Sequence, residues 1–285
     1  MDLNRYMPQI EESIQNALDE DLKDGDVTTE VLIPAHKHGS AKLLAKAKGI
    51  LAGMVIMPVL FQKVDPFLRF TVLISDGSEI KPGMILGTVE GNVGSLLKAE
   101  RTALNLLQHM SGIATLTAQY VQAVQGLPAK ILDTRKTTPG LRSLDKYAVT
   151  MGGGTNHRYN LGDMALIKDN HIAFLREEGL SVGDIVRLAR SKIPPGIKIE
   201  IETTTPQEAF MAAETGADIV MLDNMGLRDM REAVQLINHK AIVEASGGVN
   251  LKNVRPIAET GVDWISVGAI THSAPALDIS LKIKP

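Results

Sequence analysis

The chain has 285 residues, of which 44% are hydrophobic and 22% are charged, and its formal net charge is -3. This balance is typical of a folded protein and excludes extensive disorder. A negative net charge does not provide the basic surface that nucleic-acid binding requires. No cysteine occurs, which excludes disulfides, thiolate metal sites and a cysteine nucleophile.

The first residues, MDLNRYMPQIEESIQ, lack the cationic start and apolar centre of a signal peptide. The longest nearly apolar run, GILAGMVIMPVLF at 49–61, is shorter than the roughly 20 residues of a membrane span and contains Pro58. These features predict a cytoplasmic protein whose partners are small molecules, with neither a membrane nor a nucleic acid among them.

The N-terminal part, from about residue 7 to 110, mixes helical and extended patterns. The acidic amphipathic stretch IEESIQNALDEDL predicts a helix, whereas SAKLLAKAKG and FLRFTVLIS predict short strands. Turn signals at Asp76-Gly77 and Pro82-Gly83 separate the strands, and LLKAERTALNLLQHMSG predicts a further helix that ends at Gly112. We therefore predict an α+β domain over residues 1–112.

The chain beyond residue 112 alternates short apolar strands with amphipathic helices. Six strands are predicted, in the segments AKILDT, MALIKD, IKIEIET, ADIVMLDN, AIVEAS and VDWISVG. Alternating strands and helices indicate a parallel sheet with right-handed crossovers. A doubly wound open sheet would show the same alternation, but DTRKTTPG after the first strand is not the glycine fingerprint of that fold. Because a closed barrel has eight units, six units predict an incomplete barrel over residues 113–272.

Each of the six predicted strands ends in a residue that could take part in chemistry. Glu202, Asp223, Ser246 and Gly268 follow one another at intervals of 21, 23 and 22 residues, which is one strand and one helix each. Functional groups of α/β barrels gather at the carboxyl ends of the strands, so these residues should share one site. A salt-bridged strand carboxylate is the alternative interpretation of Glu202 taken alone.

The segment from Asp133 to His171 concentrates positive charge in this acidic chain. Six cations stand against Asp145 and Asp163 between positions 135 and 168, a local +4; they are Arg135, Lys136, Arg142, Lys146, Arg158 and Lys168. Arginine binds carboxylates through two parallel hydrogen bonds, so Arg135, Arg158, Lys168 and the adjacent His157 could clamp a dicarboxylate. Lys168 ends an apolar run, which predicts that it is at least partly buried. Solvated surface charge is the alternative interpretation.

The other strand ends predict the remainder of a site. Glu202 and Asp223 would suit ribose hydroxyls, an oxocarbenium-like centre or the surroundings of Mg²⁺, or could pair with Lys168 or Lys136. The loops ASGGVN at 245–250 and SVGAIT at 266–271 could cradle a phosphate with backbone N–H groups, or form plain turns. GGGTNHR lacks the ending of a nucleotide-binding P-loop, and His157 and His171 lack the spacing of a zinc site.

These blocks together resemble the quinolinate phosphoribosyltransferases, also called nicotinate-nucleotide pyrophosphorylases (carboxylating). The resemblance runs through nearly the whole chain and in the family's order: GDVTTE, ERTALNLLQHMSGIAT, DTRKTTPGLRSLDKYAV, GGGTNHRYNLGDMALIKDNH, EIET, VMLDN, EASGGV and SVGAITHS. It implies an N-terminal α+β sandwich, an incomplete parallel α/β barrel, and a C-terminal segment at 273–285 that rejoins the first domain. It also implies a homodimer or a higher homo-oligomer with shared active sites.

The resemblance implies a reaction in which quinolinate and 5-phosphoribosyl 1-pyrophosphate give nicotinate mononucleotide, pyrophosphate and CO₂, with Mg²⁺ as cofactor, in NAD biosynthesis. Arg135, His157, Arg158 and Lys168 would hold quinolinate, and Arg101 would come from a neighbouring subunit. Lys136, Glu202 and Asp223 would be catalytic, Lys136 facing the pyrophosphate and the carboxylates facing the ribose and the metal, which is expected to be bound mainly by the donor itself. The other substrate-binding residues implied are Thr134, Ser246, Gly247, Gly248, Val267, Gly268 and Ala269.

Three rival functions are compatible with parts of the pattern. A paralogue on the same scaffold, such as the phosphoribosyltransferase-like protein linked to molybdenum transport, would use another acceptor. A Schiff-base aldolase would use Lys168 as its nucleophile. A phosphosugar-binding module would bind its ligand without turnover.

Overall fold

The computed structural model describes residues 3–284. Its α-helices are α1 (Leu3–Leu22), α2 (Val27–Leu32), α3 (Met57–Val64), α4 (Val93–Ala123), α5 (Arg142–Met151), α6 (Asp169–Glu177), α7 (Val182–Lys192), α8 (Pro206–Glu214), α9 (Leu227–Ile237), α10 (Val254–Ala258) and α11 (Ala269–His272). Its strands are β1 (His38–Ala45), β2 (Gly49–Ile50), β3 (Arg69–Val72), β4 (Glu79–Ile80), β5 (Ile85–Asn92), β6 (Lys130–Leu132), β7 (Ala165–Ile167), β8 (Ile199–Thr203), β9 (Ile219–Asp223), β10 (Ile242–Ser246), β11 (Trp264–Ser266) and β12 (Ile279–Lys284). A short 3₁₀ helix spans Met54–Ile56.

The chain divides into two compact units. The first comprises the residues up to 118 together with 137–153 and 270 onward, and the second comprises 119–136 and 154–269. None of the helices in the described part of the chain has both the length and the apolar character that a membrane crossing requires.

The first unit contains an antiparallel sheet in the order β12-β1-β5-β3. The C-terminal strand β12 pairs with β1 over Ile279–Lys284, and β1 pairs in turn with β5. Helix α3 packs against β3 and α1, and Phe61 of α3 stacks on Phe70 of β3 with ring centroids 5.3 Å apart. The alternating burial of β1, with Ala41, Leu43 and Ala45 buried, is that of a sheet with one face on the core.

Helix α4 contradicts one prediction, because the helix does not stop at Gly112 but continues to Ala123. Gly112 is required there by a close approach: a Cβ atom on it would lie 2.2 Å from the carbonyl oxygen of Pro275. The glycine therefore lets the C-terminal segment cross the helix backbone. Whether a domain boundary falls at residue 112 stays a prediction.

Replacing Gly112 with alanine should destabilise the protein. Alanine is the better helix former, yet its methyl group would press on backbone rather than on a movable side chain, so we expect a loss of about 3 kcal/mol in the free energy of unfolding. Denaturant titration measures the loss. The matched control is Gly162→Ala, whose Cβ would meet its nearest neighbour at an ordinary 3.5 Å and should leave stability unchanged; equal stability of the two variants would contradict this account of Gly112.

The second unit contains a six-stranded parallel sheet in the order β6-β11-β10-β9-β8-β7. This is the consecutive order of a barrel that is open between its first and second strands, so the predicted alternation and the incomplete parallel arrangement are confirmed. Strands β8, β9 and β10 are buried almost throughout, as strands covered on both faces should be. Glu200 and Glu244 are polar exceptions inside two of these strands.

Candidate active site

A pocket of about 280 Å³ opens at the carboxyl ends of the strands of the second unit. Its walls come from the loop after β6, the loop before β7, and the ends of β7 to β11. The lining residues are Thr134, Arg135, Lys136, His157, Arg158, Leu166, Lys168, Glu202, Met221, Asp223, Glu244, Ser246 and Ser266. The structure thus brings together four of the six predicted cations with the carboxylates Glu202 and Asp223, whereas Arg142 and Lys146 lie in α5 and do not line the pocket.

The strand register explains why these side chains face one space. Successive side chains of a strand point to opposite faces, so residues two apart, such as Met221 and Asp223 of β9, share the pocket side. Across the sheet Glu202, Met221 and Glu244 are register partners, and Asp223 pairs with Ser246 one step nearer the opening. The site therefore consists of rows of side chains stacked along the strands.

The cationic wall is formed by Arg135 and Arg158. Arg158 is buried, its Nη1 donates to the carbonyl oxygen of Met164 at 3.0 Å, and burial and the neighbouring Arg135 both lower the pKa of its guanidinium. The Nε of Arg135 is buried and has no hydrogen-bond partner among the described residues. Two adjacent guanidinium groups, one with an unused donor, are suited to an anion with two carboxylates.

The two lysines of the site are more accessible than the arginines. Lys136 is exposed, and its backbone N–H donates to Oγ1 of Thr134 at 3.0 Å. Lys168 was predicted to be at least partly buried, and this prediction is wrong. The residue is exposed because the strand ends at Ile167 and Lys168 already caps the N-terminus of α6. Both ammonium groups can still reach a ligand, because both residues line the pocket.

Glu202 and Asp223 form the anionic wall. Glu202 Oε2 accepts the backbone N–H of Asp169 at 2.8 Å, which fixes the carboxylate at the start of α6, where the helix dipole favours negative charge. Burial raises the pKa of Glu202, and the charge of Asp223 adds to that increase. Asp223 is half-buried, and its Oδ2 accepts from the side chain of Asn224 at 3.0 Å. Two fixed carboxylates thus face the cations across the pocket.

His157 is held in place by the loop itself. Asp133 is fully buried, and its Oδ1 accepts the backbone N–H of His157 at 2.8 Å while its Oδ2 accepts from Asn156 at 2.7 Å. The backbone N–H of Arg158 donates to Nδ1 of the imidazole at 2.8 Å. An Nδ1 that accepts a hydrogen bond carries no proton, so the ring proton of His157 lies on Nε2.

Nε2 of His157 points at two buried glutamates. It lies 3.2 Å from an oxygen of Glu200 and 3.2 Å from an oxygen of Glu244, and both carboxyl groups are fully buried. One N–H cannot point at both, and no glutamate oxygen accepts a well-directed hydrogen bond from a described residue. These three residues are called the buried cluster below.

Two residues of the buried cluster, His157 and Glu200, have raised pKa values. Burial raises the pKa of Glu200, and the charge of Glu244 raises it further. Burial lowers the pKa of His157, but the two glutamates outweigh burial and raise it well above its usual value. Both shifts favour retention of a proton within the cluster, and because Nδ1 accepts a hydrogen bond, the carboxyl pair is suited to share that proton. The same geometry argues against a metal ion here, since an Nε2 that bears a proton cannot be a ligand.

The two loops predicted to hold a phosphate have different structures. Gly247 and Gly248 follow β10 with φ of 91° and 60°, and a Cβ on Gly247 would lie 2.2 Å from Oδ1 of Asn224. The second loop, Val267, Gly268 and Ala269, leads into α11, and Val267 N–H donates to the carbonyl oxygen of Leu132 at 2.9 Å. Ser246 and Ser266 line the pocket, whereas the glycines lie on the loops beyond it. A phosphate role for these loops stays a prediction.

One predicted residue, Arg101, lies outside this pocket, and two residues that were not predicted, Glu244 and Asp133, belong to the site or support it. Arg101 is exposed on α4 and does not line this pocket, so its contribution from a neighbouring subunit stays a prediction. Glu244 and Asp133 were not identified as site residues from the sequence. The signal for Glu244 was available, because it is a polar residue two positions before Ser246 in an otherwise apolar strand.

Comparison with known proteins gives consistent matches. The family models "Quinolinate phosphoribosyl transferase, N-terminal domain" and "C-terminal domain" match residues 26–111 and 113–282. A probable nicotinate-nucleotide pyrophosphorylase [carboxylating] of Synechocystis sp. is 44% identical to this chain, over 95% of this chain and 91% of its own length. The Mycobacterium leprae nicotinate-nucleotide pyrophosphorylase [carboxylating] is 42% identical, over 95% of this chain and 96% of its own length. The crystal structure of NadC from Streptococcus pyogenes has a TM-score of 0.92 and 39% identity, and the match covers 97% of this chain and 96% of that one.

Proposed function

This chain belongs to the quinolinate phosphoribosyltransferase family, and from that membership we propose how its pocket carries out the family's reaction. The reaction converts quinolinate and 5-phosphoribosyl 1-pyrophosphate to nicotinate mononucleotide, pyrophosphate and CO₂, the carboxylating nicotinate-nucleotide pyrophosphorylase step of de novo NAD biosynthesis. One observation carries the assignment of the site. A single pocket presents the Arg135–Arg158 pair and, on its other wall, the carboxylates of Glu202 and Asp223.

Charge explains why both walls are needed. A dianionic acceptor and a polyphosphorylated donor repel each other, and the cations Arg135, Arg158 and Lys168 offset that repulsion while they orient the acceptor. Lys136, exposed at the mouth, faces the leaving pyrophosphate. Ser246 and the loops after β10 and β11 receive the 5-phosphate through backbone N–H groups.

The transfer needs no covalent nucleophile from the protein. The ring nitrogen of quinolinate attacks the anomeric carbon as pyrophosphate leaves, and the positive charge that develops on the ribosyl group is stabilised by Glu202 and Asp223. The positive charge of the resulting pyridinium nitrogen stabilises the electron pair that CO₂ leaves on the adjacent carbon.

Mg²⁺ is proposed as the cofactor. The exposed mouth and the two fixed carboxylates fit an ion that is bound mainly by the pyrophosphate and ribose oxygens of the donor, with Glu202 and Asp223 nearby rather than as direct ligands. When bound, the ion supplies positive charge that stabilises the pyrophosphate as it leaves.

We further propose a cytoplasmic homodimer or higher homo-oligomer in which Arg101 of a neighbouring subunit completes the acceptor site. The support is the exposed position of this arginine on α4, where another subunit could be reached. The Schiff-base alternative is disfavoured by Lys168, which is exposed, whereas an amine nucleophile needs a desolvated environment.

Acceptor choice tests the proposal. With the ribosyl donor and Mg²⁺ present, we expect kcat/KM for quinolinate to exceed that for nicotinate by at least about 10²-fold, because an acceptor with one carboxylate leaves buried guanidinium donors unpaired. Chromatography of the mononucleotide product measures both. Equal use of nicotinate would contradict the dicarboxylate clamp, and the absence of any product with quinolinate would favour a paralogue with another acceptor or a binding module.

A further inference from the structure

The reaction proposed above requires a proton at one defined carbon. Loss of CO₂ breaks the bond between C2 of the pyridinium and its carboxylate carbon and leaves an electron pair on C2. Nicotinate mononucleotide carries hydrogen at this position, so an acid must deliver a proton before the product can form. The guanidinium groups of Arg135 and Arg158 are poor acids, because arginine does not give up its proton readily.

The register of the sheet indicates where that acid must lie. C2 is bonded to the ring nitrogen, and the ring nitrogen attacks the anomeric carbon that Glu202 faces. A donor to C2 must therefore lie level with Glu202 on the pocket wall. Glu244 occupies this level, because Glu202 and Glu244 both pair with Met221, from opposite sides of β9.

Glu244 also belongs to the buried cluster, whose carboxyl groups can share a proton. It lines the pocket, its carboxyl group is fully buried, and one of its oxygens lies 3.2 Å from Nε2 of His157. A ring nitrogen of His157 and one carboxylate oxygen each of Glu200 and Glu244 all lie within 4.8 Å of one another. Two carboxyl groups that face one Nε2–H at this separation disfavour double ionisation, so the pair is suited to hold one proton between them.

We propose that Glu244 is the acid that protonates C2 of the mononucleotide as CO₂ leaves, in the same step, with Glu200 and His157 as positioning residues that keep its proton in place. In this step the O–H bond of Glu244 breaks, the C2–H bond forms with the electron pair left by CO₂, and Glu244 becomes a carboxylate. A proton from water restores it after the product departs. The proposal rests on the proposed function.

A single-turnover experiment separates this role from binding. The substrates are quinolinate labelled in its 2-carboxylate and a donor labelled in its pyrophosphate, and rapid quenching follows release of both labels. In the Glu244→Gln variant we expect pyrophosphate to form within about threefold of the wild-type rate while CO₂ release slows at least 10-fold, so that the carboxylated mononucleotide accumulates. Glu200→Gln should slow CO₂ release in the same direction but less.

The controls make each outcome decisive. Glu259→Gln, an exposed change in the same unit, should leave both rates unchanged. If Glu244→Gln does not fold, Glu244→Asp is used for the test. The aspartate side chain is shorter and places its carboxyl group farther from C2, so CO₂ release should slow selectively. A parallel fall of both rates, or no change in either, would overturn the role of Glu244, whereas the absence of labelled product from the wild type would instead overturn the proposed function.

Discussion

The Glu202→Gln variant should keep its fold and lose about 10²- to 10³-fold in kcat, with the KM of quinolinate changed little. The amide retains an oxygen that can accept the Asp169 N–H, which is bonded at 2.8 Å in the wild type, so the start of α6 is preserved. The lost charge is needed only when the ribosyl group becomes positive, and removal of one preorganised group of this kind costs about 10²- to 10³-fold in kcat. Steady-state kinetics measures the change.

Glu178→Gln is the matched control for Glu202, since Glu178 is an exposed glutamate just after α6. It should leave kcat and thermal stability as they are. Near-normal turnover of Glu202→Gln would contradict a role for this carboxylate at the ribosyl group, and a rise in KM alone would reassign it to ground-state binding.

The Arg158→Met variant should lower kcat/KM for quinolinate by about 10³-fold while the KM of the ribosyl donor stays nearly constant. Methionine replaces the buried aliphatic part of Arg158 but removes its guanidinium group. Loss of one partner from a buried pair of opposite charges, here the guanidinium and a quinolinate carboxylate, costs about 2–5 kcal/mol or more. Stability should fall little, because the change also removes the repulsion between Arg158 and Arg135 that helps to lower the arginine pKa.

The control for Arg158 is Arg187→Met, at an exposed arginine of α7 that pairs with Asp184 at 2.8 Å. That variant should bind quinolinate normally. Equal losses for acceptor and donor in Arg158→Met would indicate general damage to the pocket and would contradict a specific carboxylate clamp.

Local patterns in the sequence were sufficient for the second unit of the fold. Strand and helix alternate there with short connections, and the polar residues that end β8, β9 and β10 mark the functional edge because parallel strands place their carboxyl ends together. Glu200, two residues before Glu202 in β8, lies on the same face because the side chains of a strand alternate. The position of Glu202 in the pocket follows from these rules, whereas Arg135 and Arg158 lie on loops and were selected from the local excess of positive charge.

Features that depend on contacts distant in sequence could not be predicted in this way. Gly112 has the appearance of a helix stop, but its lack of a side chain serves the approach of Pro275, more than 150 positions later. Lys168 follows an apolar run, yet the strand ends one residue before it. The role of Asp133 depends on a loop whose path to His157 has no local signature.

The release of CO₂ tests the account most directly. When the protein is supplied with quinolinate labelled in its 2-carboxylate, the ribosyl donor and Mg²⁺, labelled CO₂, pyrophosphate and nicotinate mononucleotide should appear in equal amounts, and omission of the donor should abolish all three. Label that remains in the mononucleotide, or CO₂ released without the donor, would contradict a transferase that decarboxylates its acceptor after the ribosyl bond has formed.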